Sequence, residues 1–158
     1  MRFYADTSFL VKLLTEEPGT AAAVADYRSL GRPSFFFLPL HGLEVANAIR
    51  QRAFHLRRSK PASARAAISR ERDAAHDMLR NLISRGAFLE SSVDMDSALD
   101  LARALSEKHT ERLGCRGFDL LHVALALELD CEAFLTCDSV QGALARAEGL
   151  AVTVSAAE

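Results

Sequence analysis

Five short apolar runs, each separated from the next by stretches of helical period, constrain this chain more than any other feature. Residues 2–5 are short and apolar enough for a buried strand, and they end at Asp6-Thr7-Ser8, residue types that favour helix N-caps. Phe9, Leu10, Val11, Leu13 and Leu14 supply the apolar face of the helix that follows, and Pro18-Gly19 breaks it. A second helix is expected over 20–30, then a turn at Gly31-Arg32-Pro33 and a buried strand over 34–38. Helices over 40–56 and 62–84 flank the break at Ser59-Lys60-Pro61, and a third strand is expected over 87–90. The remainder reads as a helix over 94–108, a polar loop through 114–117, a very apolar helix over 118–129, strand 133–136, helix 139–148 and strand 151–154. Neighbouring parallel strands need long crossovers, and helices placed between strands provide them. The expected fold class is therefore α/β, with a mostly parallel five-stranded sheet flanked by helices.

At 158 residues the chain suits a single domain, expected over 1–158, with no internal repeat and no low-complexity linker. No run approaches the roughly 18–20 apolar residues that a membrane span requires. Asp6, Lys12 and the Glu16-Glu17 pair interrupt the opening segment too early for a secretory signal, so a cytoplasmic location and no membrane partner are expected. The three cysteines, Cys115, Cys131 and Cys137, fit no zinc spacing and read as buried reduced thiols.

Net charge is only −2, but its distribution is uneven. Between Arg50 and Arg85 ten basic residues stand against three acids, while the rest of the chain holds nine basic residues and eighteen acids. The helices over 40–56 and 62–84 thus form a basic arm on an acidic body, an asymmetry that suits a polyanion partner.

The acids are placed informatively. Asp6 follows the first strand, Asp138 follows the fourth, Asp119 opens the apolar helix after it, and Glu44 lies early in the helix after the second strand. In open α/β sheets functional groups collect beyond the carboxyl ends of the strands. Each acid also has a purely structural reading: Asp6 and Asp119 as helix caps, Asp138 as a turn residue, Glu44 as a solvent-facing side chain. Four carboxylates at one edge would repel one another without a cation, and oxygen-only ligands select Mg²⁺ or Mn²⁺ over zinc.

Four blocks then carry a family resemblance: Ala5-Asp6-Thr7-Ser8-Phe9-Leu10-Val11-Lys12-Leu13, Leu43-Glu44-Val45-Ala46-Asn47-Ala48, Phe118-Asp119-Leu120-Leu121-His122-Val123-Ala124-Leu125-Ala126, and Phe134-Leu135-Thr136-Cys137-Asp138. In this order they resemble the PIN-domain nucleases, and their spacing is similar to that of the VapC-type toxins of toxin–antitoxin pairs. The resemblance implies a three-layer PIN-like fold and a metal-dependent ribonuclease, with Asp6, Glu44, Asp119 and Asp138 as catalytic and metal-binding acids. It further implies that Thr7 or Ser8 orients Asp6, that Thr136 acts near Asp138, and that Mg²⁺ or Mn²⁺ activates a water for hydrolysis of RNA. An antitoxin partner and a homodimer belong to the same picture. Two departures stand out: no further acid follows Asp138, where Ser139-Val140-Gln141 come next, and the basic stretch is longer than in the compact toxins.

Arg57, Arg58, Arg65 and Arg72 on the arm, with Arg116 just ahead of Asp119, are the candidates for RNA phosphates; Arg116 has an equal reading as the partner of a site carboxylate. His122, one helical turn past Asp119, reads as a hydrogen-bonded supporting or core residue rather than a base, and His41 as a core residue with substrate contact the lesser reading. Leu13, Leu14, Val24, Ile49, Phe54, Ile68, Leu79 and Leu82 offer more apolar surface than such a sheet needs, which again suggests a two-fold dimer. Two rivals have less support. Haloacid-dehalogenase-type phosphatases need an acid where Ser8 stands, and a non-catalytic RNA- or protein-binding module has no need of all four acids.

Overall fold

Residues 1–155 are described by a computed structural model; the last three residues of the expected 1–158 unit lie outside it. The elements follow one another as β1 (Phe3–Ala5), α1 (Thr7–Lys12), α2 (Thr20–Ser29), β2 (Phe35–Phe37), α3 (Pro39–Ser59), a short 3-10 turn (Ala62–Ala64), α4 (Arg65–Ser84), β3 (Phe88–Glu90), α5 (Met95–Leu113), α6 (Gly117–Glu128), β4 (Ala133–Thr136), α7 (Ser139–Ala147) and β5 (Ala151–Val154). The strands lie in the order β3-β2-β1-β4-β5, and every neighbouring pair is parallel, with Phe3 opposite both Phe35 and Ala133.

Side chains alternate across a strand, and here the alternation builds a core on each face of the sheet. Ala5, Phe35, Phe37, Phe88 and Leu135 point to one face, where Phe9, Leu10, Val45, Ile49, Ala75 and Leu79 of α1, α3 and α4 cover them. Tyr4 and Phe134 point to the other, against Ala98, Leu105, Val123, Leu125 and Leu144 of α5, α6 and α7. Three layers result, as the resemblance implies. The chain adds β2 and β3 on one side of β1, then crosses to add β4 and β5 on the other, so the switch point lies between β1 and β4.

Two helices run past the ends expected from the sequence. Helix α3 runs to Ser59, begun by Pro39 in the first turn where its missing N–H costs nothing, and Arg57 and Arg58 in its last turn suit the dipole. Helix α5 continues to Leu113 and stops at Gly114, whose φ of 69° is a left-handed C-terminal cap. Little of the expected polar loop is left. Helix α7 lies so close to β5 that a Cβ on Gly142 would stand 2.6 Å from Val154 Cγ2. This contact seats the helix, and with it Asp138, at the end of β4.

The surplus of apolar surface is corrected by the structure. Leu14, Ile49, Ile68 and Leu79 are buried, Leu13, Val24 and Leu82 are half-buried, and of the eight only Phe54 is exposed, at 54%. Helices α1 to α4 absorb the rest by covering one sheet face, so this argument for a second chain falls. The cysteines are free, with Cys115 and Cys131 buried and Cys137 half-buried. Burial pushes the thiols of Cys131 and Cys137 up to about 12 and about 11, which leaves them unreactive. Among the described residues no helix is long and apolar enough to cross a membrane.

Candidate active site

Asp6, Glu44, Asp119 and Asp138 line one open cleft of about 320 Å³ beyond the carboxyl ends of β1 and β4. Asp6 is the N-cap of α1, its Oδ1 accepting the Phe9 N–H at 2.9 Å. Ser8 Oγ lies 2.8 Å from both of its oxygens, and Thr136 Oγ1 donates to Oδ2 at 2.7 Å. Burial pushes the Asp6 carboxyl up, and the Phe9 N–H, the charge of His122 and the two hydroxyls counter this only in part. Thr136 Oγ1 also accepts the Asp138 N–H at 2.9 Å, so one hydroxyl connects both strand-end acids. Asp138 caps α7 through Oδ1, which accepts from Val140 N and Gln141 N. Asp6 is thus the helix cap it was read as, Asp138 caps a helix where a turn was read, and both acids line the cleft.

Of the two hydroxyls expected to orient Asp6, Ser8 does so and Thr7 does not. The Thr7 hydroxyl turns away from Asp6 and donates to Glu44 Oε2 at 2.7 Å. His122 Nε2 meets the same oxygen at 2.8 Å, and His122 Nδ1 lies 2.8 Å from the buried Tyr4 hydroxyl. Burial raises the Tyr4 pKa, so the phenol keeps its proton, and the His122 ring is held between that hydroxyl and Glu44. At Glu44 burial works against ionisation, but the hydrogen bond and charge of His122, with the Thr7 hydroxyl, hold the carboxyl below its ordinary value. Glu44 is thus a clamped carboxylate rather than a solvent-facing one. His41 is fully buried; its Nδ1 accepts the Leu38 N–H at 3.1 Å, and its Nε2 has no partner among the described residues. It touches no open surface, so substrate contact is excluded.

Arg116 is the N-cap residue of α6, and Asp119 sits at the third position of that helix. Asp119 Oδ2 accepts the Arg116 backbone N–H at 2.9 Å and Nε at 3.0 Å, and Oδ1 accepts Nη2 at 3.2 Å. The same Nη2 reaches Asp138 Oδ2 at 2.9 Å. One guanidinium therefore joins two acids that arise from different crossovers. Of the two readings of Arg116, the structure displays the carboxylate partner.

Among the described residues no three His, Cys, Asp or Glu side chains stand together as a metal-holding group, and Arg116 pairs with two of the acids. The donor chemistry nevertheless suits a hard divalent ion: every acid offers carboxylate oxygens, and a cationic group already stands between Asp119 and Asp138. The four carboxylates that line the cleft are the donor type a hard divalent ion would take.

The structure does not bring the basic arm to this cleft. Arg57 lies roughly 20 Å beyond Glu44 down the same helix, at about 1.5 Å per residue. Arg50, Phe54, Arg57, Arg72 and His76 line a separate cleft of about 470 Å³ on the α3–α4 hairpin, and the Arg58 guanidinium lies 5.5 Å from the Phe54 ring centre. Arg65 is exposed near the hairpin's tip. Sequence reasoning missed Tyr4, whose apolar strand context hides its hydroxyl, and Phe118, which lines the acidic cleft yet is 60% exposed. Phe118 opens a very apolar helix, so nothing in the sequence separates it from the buried residues that follow.

Fold and cleft define an α/β domain with an acidic crevice at its topological switch point. The family model described as PIN domain matches residues 3–147, which include all four acids, and the chain belongs to that family. PIN domains are generally nucleases that act on nucleic acid and typically use divalent metal ions. Comparison with curated proteins finds no match.

Proposed function

We propose that this chain is a Mg²⁺- or Mn²⁺-dependent ribonuclease, in which Asp6, Glu44, Asp119 and Asp138 hold the metal and form the catalytic centre. The observation that carries the reading is the convergence of three helix-start aspartates and one clamped glutamate on a single cleft at the switch point. An ion held there supplies an activated water and neutralises charge developing on the phosphate. Ser8 and Thr136 orient Asp6, while Thr7 and His122 orient Glu44. Exposed Phe118 offers a face on which an unpaired base stacks, which suits single-stranded RNA.

The finer parts of the proposal rest on the resemblance to VapC-type toxins. The chain acts in the cytoplasm as a homodimer and is held inactive by an antitoxin protein. The separation of arm and cleft within one chain supports the dimer, because a partner's Arg57, Arg58, Arg65 and Arg72 then complete a groove that one chain leaves open. The competing reading, a binding module without activity, is favoured only by Arg116 neutralising two of the acids.

Purified protein should cleave single-stranded RNA with Mg²⁺ or Mn²⁺, stop in EDTA and resume when metal is restored. Asp6→Asn, Asp119→Asn and Asp138→Asn should each lower the rate by about a hundredfold or more, the scale of losing several kcal/mol of charge stabilisation. Asn remains a good N-cap, so the variants at positions 6 and 138 should stay folded. Undiminished cleavage in chelator would refute metal dependence, and none under any condition would leave the binding module.

A further inference from the structure

We propose that Arg116 is the resident counter-ion of the metal-free site, exchanging with a divalent cation for the place between Asp119 and Asp138. The inference rests on the proposed metal-dependent reading and concerns what the chain's own residues do before metal arrives. Two carboxylates brought from separate crossovers to one cleft repel each other. The chain answers with a cation of its own: Arg116 Nε and Nη2 span both oxygens of Asp119, and Nη2 continues to Asp138 at 2.9 Å.

Its mount suits exchange. The Arg116 side chain is 74% exposed, whereas that of Asp119 is only 8% exposed. The backbone N–H of Arg116 bonds to Asp119 independently of the guanidinium. Withdrawal of the side chain therefore leaves Asp119 oriented by its helix and Asp138 oriented by its cap, with the oxygens that faced the guanidinium free for an ion. Glu44 and Asp6 need no such partner, since Thr7, His122, Ser8 and Thr136 already engage them. The device acts on one half of the acid set. Metal and guanidinium are then mutually exclusive there, and Arg116 lowers the apparent metal affinity while keeping the empty cleft intact.

The test measures Mn²⁺ binding directly, by electron paramagnetic resonance titration of free Mn²⁺ and by calorimetry, on the full chain and on Arg116→Gln and Arg116→Lys. Arg116→Gln should bind Mn²⁺ on the order of fivefold more tightly, the scale of one or two ion pairs at an exposed position. Arg116→Lys keeps the charge but cannot bridge both acids, and it should fall between. Without metal, Arg116→Gln should melt below the parent, and saturating Mg²⁺ should close that gap. Equal Mn²⁺ affinity in all three proteins would overturn the exchange while leaving metal binding standing. Absence of Mn²⁺ binding in all three would overturn the metal reading and the exchange with it.

Discussion

Asp6 and Asp138 each give one carboxylate oxygen to a helix cap and leave the other to Thr136 or Arg116, so the direction of each acid is set by the start of its own helix. The strand-to-helix junction was readable because polar cap residues directly follow short apolar runs. Which hydroxyl serves which acid was not readable. Thr7 and Ser8 are adjacent in sequence, but successive helix positions point about 100° apart, and only the docking of α3 decides that Thr7 meets Glu44. His122 became a partner of Glu44 for the same long-range reason. His41 supports a prediction of its own. Burial among Tyr4, Phe37 and His122 lowers its pKa from 6.5 to about 3, with nearby His122 adding to the effect. The folded pKa lies below the unfolded one, so the unfolded chain takes up the proton first. The contribution is fully present above pH 6.5 and is lost as pH falls towards 3, at about 1.4 kcal/mol per pH unit. Urea unfolding between pH 7 and 5 should show this slope in the parent and a shallower one in His41→Gln, whose amide oxygen can still accept the Leu38 N–H. Equal slopes would show that His41 does not carry the effect.

Helix α3 links the two charged regions, with Glu44 near its start and Arg57 and Arg58 in its last turn. Its length was understated in the sequence reading because Arg57, Arg58 and Ser59 break the apolar period without breaking the backbone. The α3–α4 hairpin carries few acids to offset its guanidiniums; Arg52 pairs with Glu71 and Arg72 with Asp73, while Arg57 rests on Ser69 Oγ. If the hairpin binds single-stranded RNA, log affinity should fall with log salt by roughly 0.7 per phosphate contacted. Replacing Arg57, Arg58, Arg65 and Arg72 by Gln should flatten that slope and weaken binding across sequences, measured by fluorescence anisotropy on Asp119→Asn protein. An unchanged slope would make the hairpin a solvated face.

At the scale of the whole molecule, the parallel sheet and the place of the acids beyond its strand ends were legible from alternating strands and helices, whereas the strand order β3-β2-β1-β4-β5 was not, because several orders satisfy the same alternation. Nor was the use of the apolar surface. Leucine and isoleucine counts cannot separate a face buried beneath the chain's own helices from one awaiting a partner. The proposed dimer therefore stands on the distance between hairpin and cleft, and light scattering at micromolar concentration should return about twice the chain mass of 17.2 kDa. A monomer there would remove the shared groove and leave the acidic centre untouched. The uneven charge has one more effect, which begins before contact. The α3–α4 hairpin carries the excess of positive charge, and the cleft carries four of the acids of the remaining, acidic chain. Near an extended polyanion such a body feels a torque as well as a pull. If the proposed RNA is that polyanion, the hairpin would turn towards it first, and the strand would be caught at a distance from the acids that repel it and reach them only by sliding or folding back along a surface already holding it.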